Sequence, residues 1–192
     1  MIIYLTKESR ERLSIPTTSE MKTDMKLLAE KVIEKESGDK LLEWGAKLFY
    51  FDRRKCLQVV NFASKFTLIL IDVKVKDIAD IPNFMAMYMF DIYKNDLVTT
   101  KLLKRFFQEY LFVAYSALKD KSIITTLNHT QRVYLEDGYR LYEFIENNVM
   151  QSKKLNYKIN FDWIFTSKVD GETDYFVSGE KFAELLKKRY KQ

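Results

Sequence analysis

The stretch "LFYFDRRKCLQVVNF", residues 48 to 62, gathers side chains able to do chemistry: an acid, Asp52, three consecutive cations, Arg53, Arg54 and Lys55, and the only cysteine, Cys56. Guanidinium groups hold phosphate or carboxylate in a bidentate grip where lysine offers a point charge, so the run fits anion recognition. A hairpin connection made by "DRRK" accounts for Asp52, whose side chain accepts bonds from the backbone ahead, but not for three adjacent cations that repel one another. Lys121 and Ser122 open a later helix in "KSIITTLN". The free N–H groups and positive end of that helix would make them a second wall of the same surface. The anion-binding set is therefore Arg53, Arg54, Lys55, Lys121 and Ser122. The competing reading is ordinary pairing of the cations with Asp77, Asp80 or helix glutamates.

Other chemistries have less to stand on. His129 is the single histidine, which removes HExxH and multi-histidine metal sites, and one cysteine removes every CxxC arrangement. A Cys56/His129 nucleophile pair is conceivable beside three cations. Cys56, however, enters an apolar strand on the side of Gln58 and Val60, the place of a buried, unreactive packing residue. Glu136 and Asp137 are neighbours on a helix and point about 100° apart, so they share no ligand. No Gly-rich phosphate loop is present. No catalytic residue, metal ligand or cofactor is assigned; a carboxylate-only Mg site stays open but has no tell-tale spacing.

Charge and composition bound the partners. The net charge is +5, but Lys187, Lys188, Arg189 and Lys191 supply most of it in the last turn of a terminal helix, where the helix dipole favours solvated cations. The body is nearly neutral, which weakens a nucleic-acid reading, and these last residues are expected to be dispensable for folding. No run approaches the roughly 20 apolar residues of a membrane span, and the start lacks a secretion signal. A soluble cytoplasmic protein with no membrane contact is expected. The leading function is a non-catalytic binding or interaction module for an unknown protein or anionic ligand. A nucleic-acid or nucleotide binder stands second, and a metal-dependent phosphodiester hydrolase third.

The elements that must position these residues can be read along the chain. With 192 residues, 47% of them hydrophobic, and only 5 Gly and 2 Pro, one compact domain is expected. "IIYL" suits a strand, and Thr6 caps a short helix stopped by Pro16. Residues 19 to 36 pattern as an amphipathic helix ended by Gly38. Residues 46 to 51 and 56 to 62 read as paired strands, and "TLILI", Thr67 to Ile71, as a central one. Asn83 caps a helix buried on more than one side, and a second helix follows in "DLVTTKLLKRFFQEYL". After strand-like "FVAYSAL", a long helix from Lys121 bends at Gly138. In "LNYKINFDWIF" apolar and polar residues alternate from Leu155 to Phe165, the pattern of a strand with one wet face. An Asp170–Gly171 turn, a returning strand and a helix capped by Ser178 close the chain. The fold class is α+β, a mostly antiparallel sheet packed with several helices. Residues 1–150 form its core and 151–192 a hairpin and helix extension packed on it.

Three blocks carry a resemblance: "MIIYLTK" at the start, "DRRKCL" with Asn61 in the hairpin, and "KSIITTLN". Together they resemble a family of small uncharacterised bacterial proteins, a domain of unknown function, with an M-I-I-x-x-T-K start, a D-R-R-K-C-L hairpin and a K/R-S-V-L-G-S-M-N-like helix start. The likeness spans residues 1 to 146. The helix near residues 19 to 36 stands out as an insertion, and Thr125 replaces a usual glycine. The resemblance implies a compact fold in a bacterial cytoplasm and supplies no catalytic residue.

Overall fold

The structure, a computed structural model, describes residues 1–16, 20–51, 53–110, 112–133, 139–169 and 171–191. Asp52, the Glu136–Asp137 pair, Gly138 and Asp170 lie outside them. In chain order the elements are β1 (Ile2–Leu5), α1 (Lys7–Arg12), α2 (Thr23–Glu36), β2 (Glu43–Phe51), β3 (Arg54–Asn61), β4 (Thr67–Leu70), and a 3-10 segment Val75–Asp80. Then come α3 (Ile81–Ile92), α4 (Leu97–Glu109), β5 (Ala114–Ala117), α5 (Lys121–Gln131), α6 (Tyr139–Tyr142), β6 (Ile145–Glu146) and β7 (Val149–Met150). The chain closes with α7 (Ser152–Phe161), β8 (Ile164–Val169), β9 (Glu172–Val177) and α8 (Ser178–Tyr190).

The fold is α+β, built on a five-stranded sheet in the order β4-β3-β2-β1-β5. The β2–β3 and β3–β4 ladders are antiparallel as hairpin connections require, whereas β1 lies parallel to both β2 and β5. The chain leaves β1 through α1 and α2 before returning as β2, and such a helical crossover delivers the next strand parallel. The large sheet is therefore mixed, and the small β8–β9 hairpin stands apart from it.

Alternation along the strands gives the sheet two buried faces. On one, Trp44, Ala46, Leu48, Leu57, Val59 and Leu68 pack with Met85, Met89, Phe106, Phe182 and Leu186 from α3, α4 and α8. On the other, Phe49, Phe51, Cys56 and Ile69 meet Leu155, Ile159, Phe144 and Phe165. Farther along that face Val60 packs with Ile123 and Leu127 of α5. Gly45 permits this approach, since a Cβ there would stand 2.2 Å from Ile123 Cγ2.

Several expectations are corrected. Residues 152–161 form helix α7, not a strand. Leu155, Asn156, Ile159 and Asn160 are all buried, and the two asparagines that alternation assigns to water face the sheet. Asn156 Oδ1 accepts from Ile69 N at 2.7 Å and its Nδ2 donates to Ile69 O at 3.1 Å. Asn160 does the same for Thr67, at 2.8 and 2.7 Å. Two side chains one helical turn apart thus satisfy the outer edge of β4 as a further strand would. This also corrects the place of "TLILI": β4 is an edge strand, continuously apolar because α7 covers it.

Helix starts are shifted as well. α3 begins at Ile81 with Pro82 in its first turn, a position where the missing N–H is harmless, so Asn83 is not its cap. Ser178 opens α8 without capping it, its hydroxyl lying 2.9 Å from Asn160 Oδ1. Of the four terminal cations, Lys188 and Lys191 are exposed as expected, whereas Lys187 and Arg189 are not a solvated fringe. Arg189 donates to Asp39 at 2.7 Å and to the Tyr110 hydroxyl, Tyr190 donates to Glu109 at 3.0 Å, and Lys187 lies 3.6 Å from Asp96.

Candidate functional site

The β2–β3 hairpin presents the basic run. Phe51 pairs with Arg54, so only residues 52 and 53 intervene and the connection is shorter than the four residues of "DRRK". Arg53 sits in the left-handed region at φ 63°, exposed on the turn. Arg54 and Lys55 already belong to β3, and alternation sends them to opposite faces. Lys55 is half-buried and pairs with Tyr50, a ring that Arg12 covers at 5.2 Å.

Arg54 falls on the face of Phe49, Phe51 and Cys56. There it lines a recess of about 460 Å³ with Phe51, Tyr142, Ile145, Asn148 and Met150. The rings of Phe51 and Tyr142 lie 5.0 Å apart at 59°, and Tyr142 is 52% exposed. Among the described residues no carboxylate lies within ion-pair distance of Arg53, Arg54 or Lys55. The acids proposed as their partners are engaged elsewhere: Asp77 accepts from Lys74 N at 2.9 Å, and Asp80 from Asn83 Nδ2 at 3.3 Å.

Cys56 is fully buried under this recess, and burial pushes its thiol up to about 11, so it stays protonated at neutral pH. His129 stands on the exposed side of α5, its ring 6.3 Å from that of Trp163, and no hydrogen bond joins it to Cys56. Among the described residues no three His, Cys, Asp or Glu side chains cluster as metal ligands would.

Lys121 and Ser122 do begin α5, capped by Asp120, whose side chain accepts from Ile123 N at 2.8 Å. They form no second wall for the hairpin. Ser122 Oγ accepts from Lys65 Nζ at 3.0 Å, and Lys65 lies on the turn that leaves the far end of β3. Seven strand steps, about 23 Å, separate that end from Arg54. At that far end, Asn61 is structural: buried, it donates to Leu41 O at 3.0 Å and accepts from Ala63 N and Ser64 N, both at 3.1 Å.

Sequence reasoning found Arg54, the predicted cation that lines the recess, but missed Tyr142, Asn148 and Lys65. The first two stand about ninety residues from Arg54 and share no spacing with it, so only the tertiary fold brings them together. Lys65 carried no signal beyond its place in a polar turn.

A mixed-sheet α+β protein with a basic hairpin beside an aromatic recess is the class these features define. The chain belongs to the family described as a domain of unknown function (DUF6933), whose model matches residues 2–180. The match runs through the hairpin, α5 and α7 and into α8. No curated protein matches the chain significantly. Among the described residues no helix is long and apolar enough to cross a membrane.

Proposed function

We propose that the protein is a binding module of the bacterial cytoplasm that recognises an anionic ligand at the tip of the β2–β3 hairpin. The observation that carries this reading is Arg54, a guanidinium without a carboxylate partner among the described residues, lining a recess walled by Phe51 and Tyr142. Arg53, exposed on the adjoining turn, adds positive charge near it. A charged group desolvated against aromatic walls is held more firmly than one on an open surface. A single buried cysteine is consistent with a reducing compartment.

The half-open ring of Tyr142 favours a more specific reading, in which the ligand is a nucleotide: a base stacks on the ring while the arginines take the phosphates. Exchange of Arg53 and Arg54 for Gln tests both. Titration calorimetry with ATP, pyrophosphate and an acidic peptide is expected to show binding that falls at least about tenfold in the double variant. The melting curve is expected to move little, since exposed cations contribute at most about 1 kcal/mol. Loss of ATP binding alone in Tyr142→Ala selects the nucleotide. No binding of any of the three anions to the wild-type chain, or equal binding by the double variant, refutes the assignment.

A further inference from the structure

A second arrangement at the opposite end of β3 lies outside the basic recess and is independent of the reading above. Lys65 is only 7% exposed, and among the described residues its Nζ has a single hydrogen-bond acceptor, Ser122 Oγ at 3.0 Å. An ammonium has three donors to satisfy and is costly to bury with one acceptor, whereas a neutral amine is far less so. Burial lowers the pKa of Lys65. Asp120 opposes that shift, while Lys40 and Lys181 add to it. A lysine that gives up its proton more readily than usual, at hydrogen-bond distance from a hydroxyl, is what a serine, weakly nucleophilic alone, requires as a base.

The surroundings suit that chemistry. Ser122 is exposed in the first turn of α5, an eleven-residue helix whose N-terminus is capped by Asp120. It also borders a groove of about 400 Å³ between α5 and β8, walled by Thr126, His129, Trp163 and Phe165. One side of the groove is polar and the other aromatic, the lining expected for a ligand with one reactive and one apolar end.

We propose that Ser122 and Lys65 form a nucleophile–base pair that hydrolyses a small ester or amide whose apolar part lies along Trp163 and Phe165. Ser122 Oγ attacks the carbonyl carbon, Lys65 Nζ takes the hydroxyl proton, and the carbonyl electron pair moves onto oxygen. When that intermediate collapses, the C–O or C–N bond to the leaving group breaks and Lys65 returns the proton to the departing alcohol or amine. Water then attacks the acyl-serine with Lys65 again as base. A carboxylic acid leaves, the Ser122 hydroxyl is restored, and water is the only co-reactant.

The test uses the full chain with a fluorophosphonate probe and with p-nitrophenyl butyrate. Peptide mass mapping is expected to place the phosphonate on Ser122, and Ser122→Ala, an exposed and therefore mild exchange, is expected to lose both labelling and ester turnover. Lys65→Arg retains a cation but cannot deprotonate, so the labelling rate is expected to fall roughly a hundredfold or more. Should that variant fail to fold, the wild-type labelling rate decides. It must rise with loss of one proton below the ordinary lysine range. The proposal is overturned if the native chain is neither labelled nor more active than Ser122→Ala between about pH 6 and about pH 10. It is equally overturned if a folded Lys65→Arg variant labels at the wild-type rate, or if the wild-type rate shows no such rise.

Discussion

Replacing Asn160 by leucine should be among the most damaging exchanges of similar volume in this protein. In the native fold its amide meets both Thr67 N and Thr67 O, receives the Ser178 hydroxyl at 2.9 Å in one orientation of that hydroxyl, and donates to Asn156 O at 2.7 Å. Leucine fills the space but strands two buried backbone groups of an edge strand. Each unsatisfied buried group costs about 1–3 kcal/mol, so the loss should be about 2–6 kcal/mol, a large part of the stability of a typical domain. Asn156→Leu strands Ile69 N and O in the same way and should cost a similar amount. Urea unfolding followed by far-UV circular dichroism gives the magnitudes, and hydrogen exchange gives the location, since the Thr67 and Ile69 amides should become the fastest-exchanging of the sheet. An aspartate at 156 separates the two halves of the bond pair. Its carboxylate still accepts from Ile69 N but turns a second negative oxygen toward Ile69 O, so the folded state raises its pKa above the usual carboxylate value. Stability of that variant should be fullest below about pH 4 and should fall as pH rises through the raised value. Leucine variants within about 0.5 kcal/mol of wild type, with unchanged exchange at Thr67 and Ile69, would refute the edge-capping account.

Two further outcomes follow from the terminus and the thiol. Removing residues 187–192 takes away Arg189 and Tyr190 with their bonds to Asp39, Tyr110 and Glu109, so the melting temperature should drop by several degrees, about 1–3 kcal/mol, and an unchanged melting curve would show these contacts to be idle. Cys56 should resist iodoacetamide at neutral pH until the protein unfolds. Its folded pKa of about 11 lies above the ordinary 9.0, so the stability it lends is complete below about pH 9 and is lost as pH rises through 11, by up to about 3 kcal/mol. A Cys56→Ala variant with an identical alkaline unfolding slope would contradict this.

The fold was legible where local chemistry decides it. Thr6 caps α1 through its own side chain, and Cys56 is buried because strand alternation places it under the hairpin. The reading of residues 155 to 165 failed because an eleven-residue alternation also contains the spacing of four. Leu155 and Ile159, with Asn156 and Asn160 beside them, fill one face of a helix. Hydropathy counts asparagine as wet, yet these two are buried because a strand edge some ninety residues earlier needs a donor and an acceptor at each of two positions. Nothing in the local sequence states that need. Long separations likewise hid Lys65 from Ser122, 57 residues apart, and Tyr142 from Arg54.

That geometry also makes the two proposals separable. The basic recess and the Ser122–Lys65 pair stand at opposite ends of β3, about 23 Å apart, on a strand held by ladders on both sides. Exchanges at sites this distant, sharing no partner, act independently unless the strand itself moves. Loss of anion binding in the Arg53/Arg54 variant should therefore leave labelling of Ser122 unchanged, and Ser122→Ala should leave ATP affinity unchanged. If each exchange weakens the activity of the other end, the two surfaces serve one ligand, and β3 with its buried Gln58 and Asn61 is the rigid element that couples them.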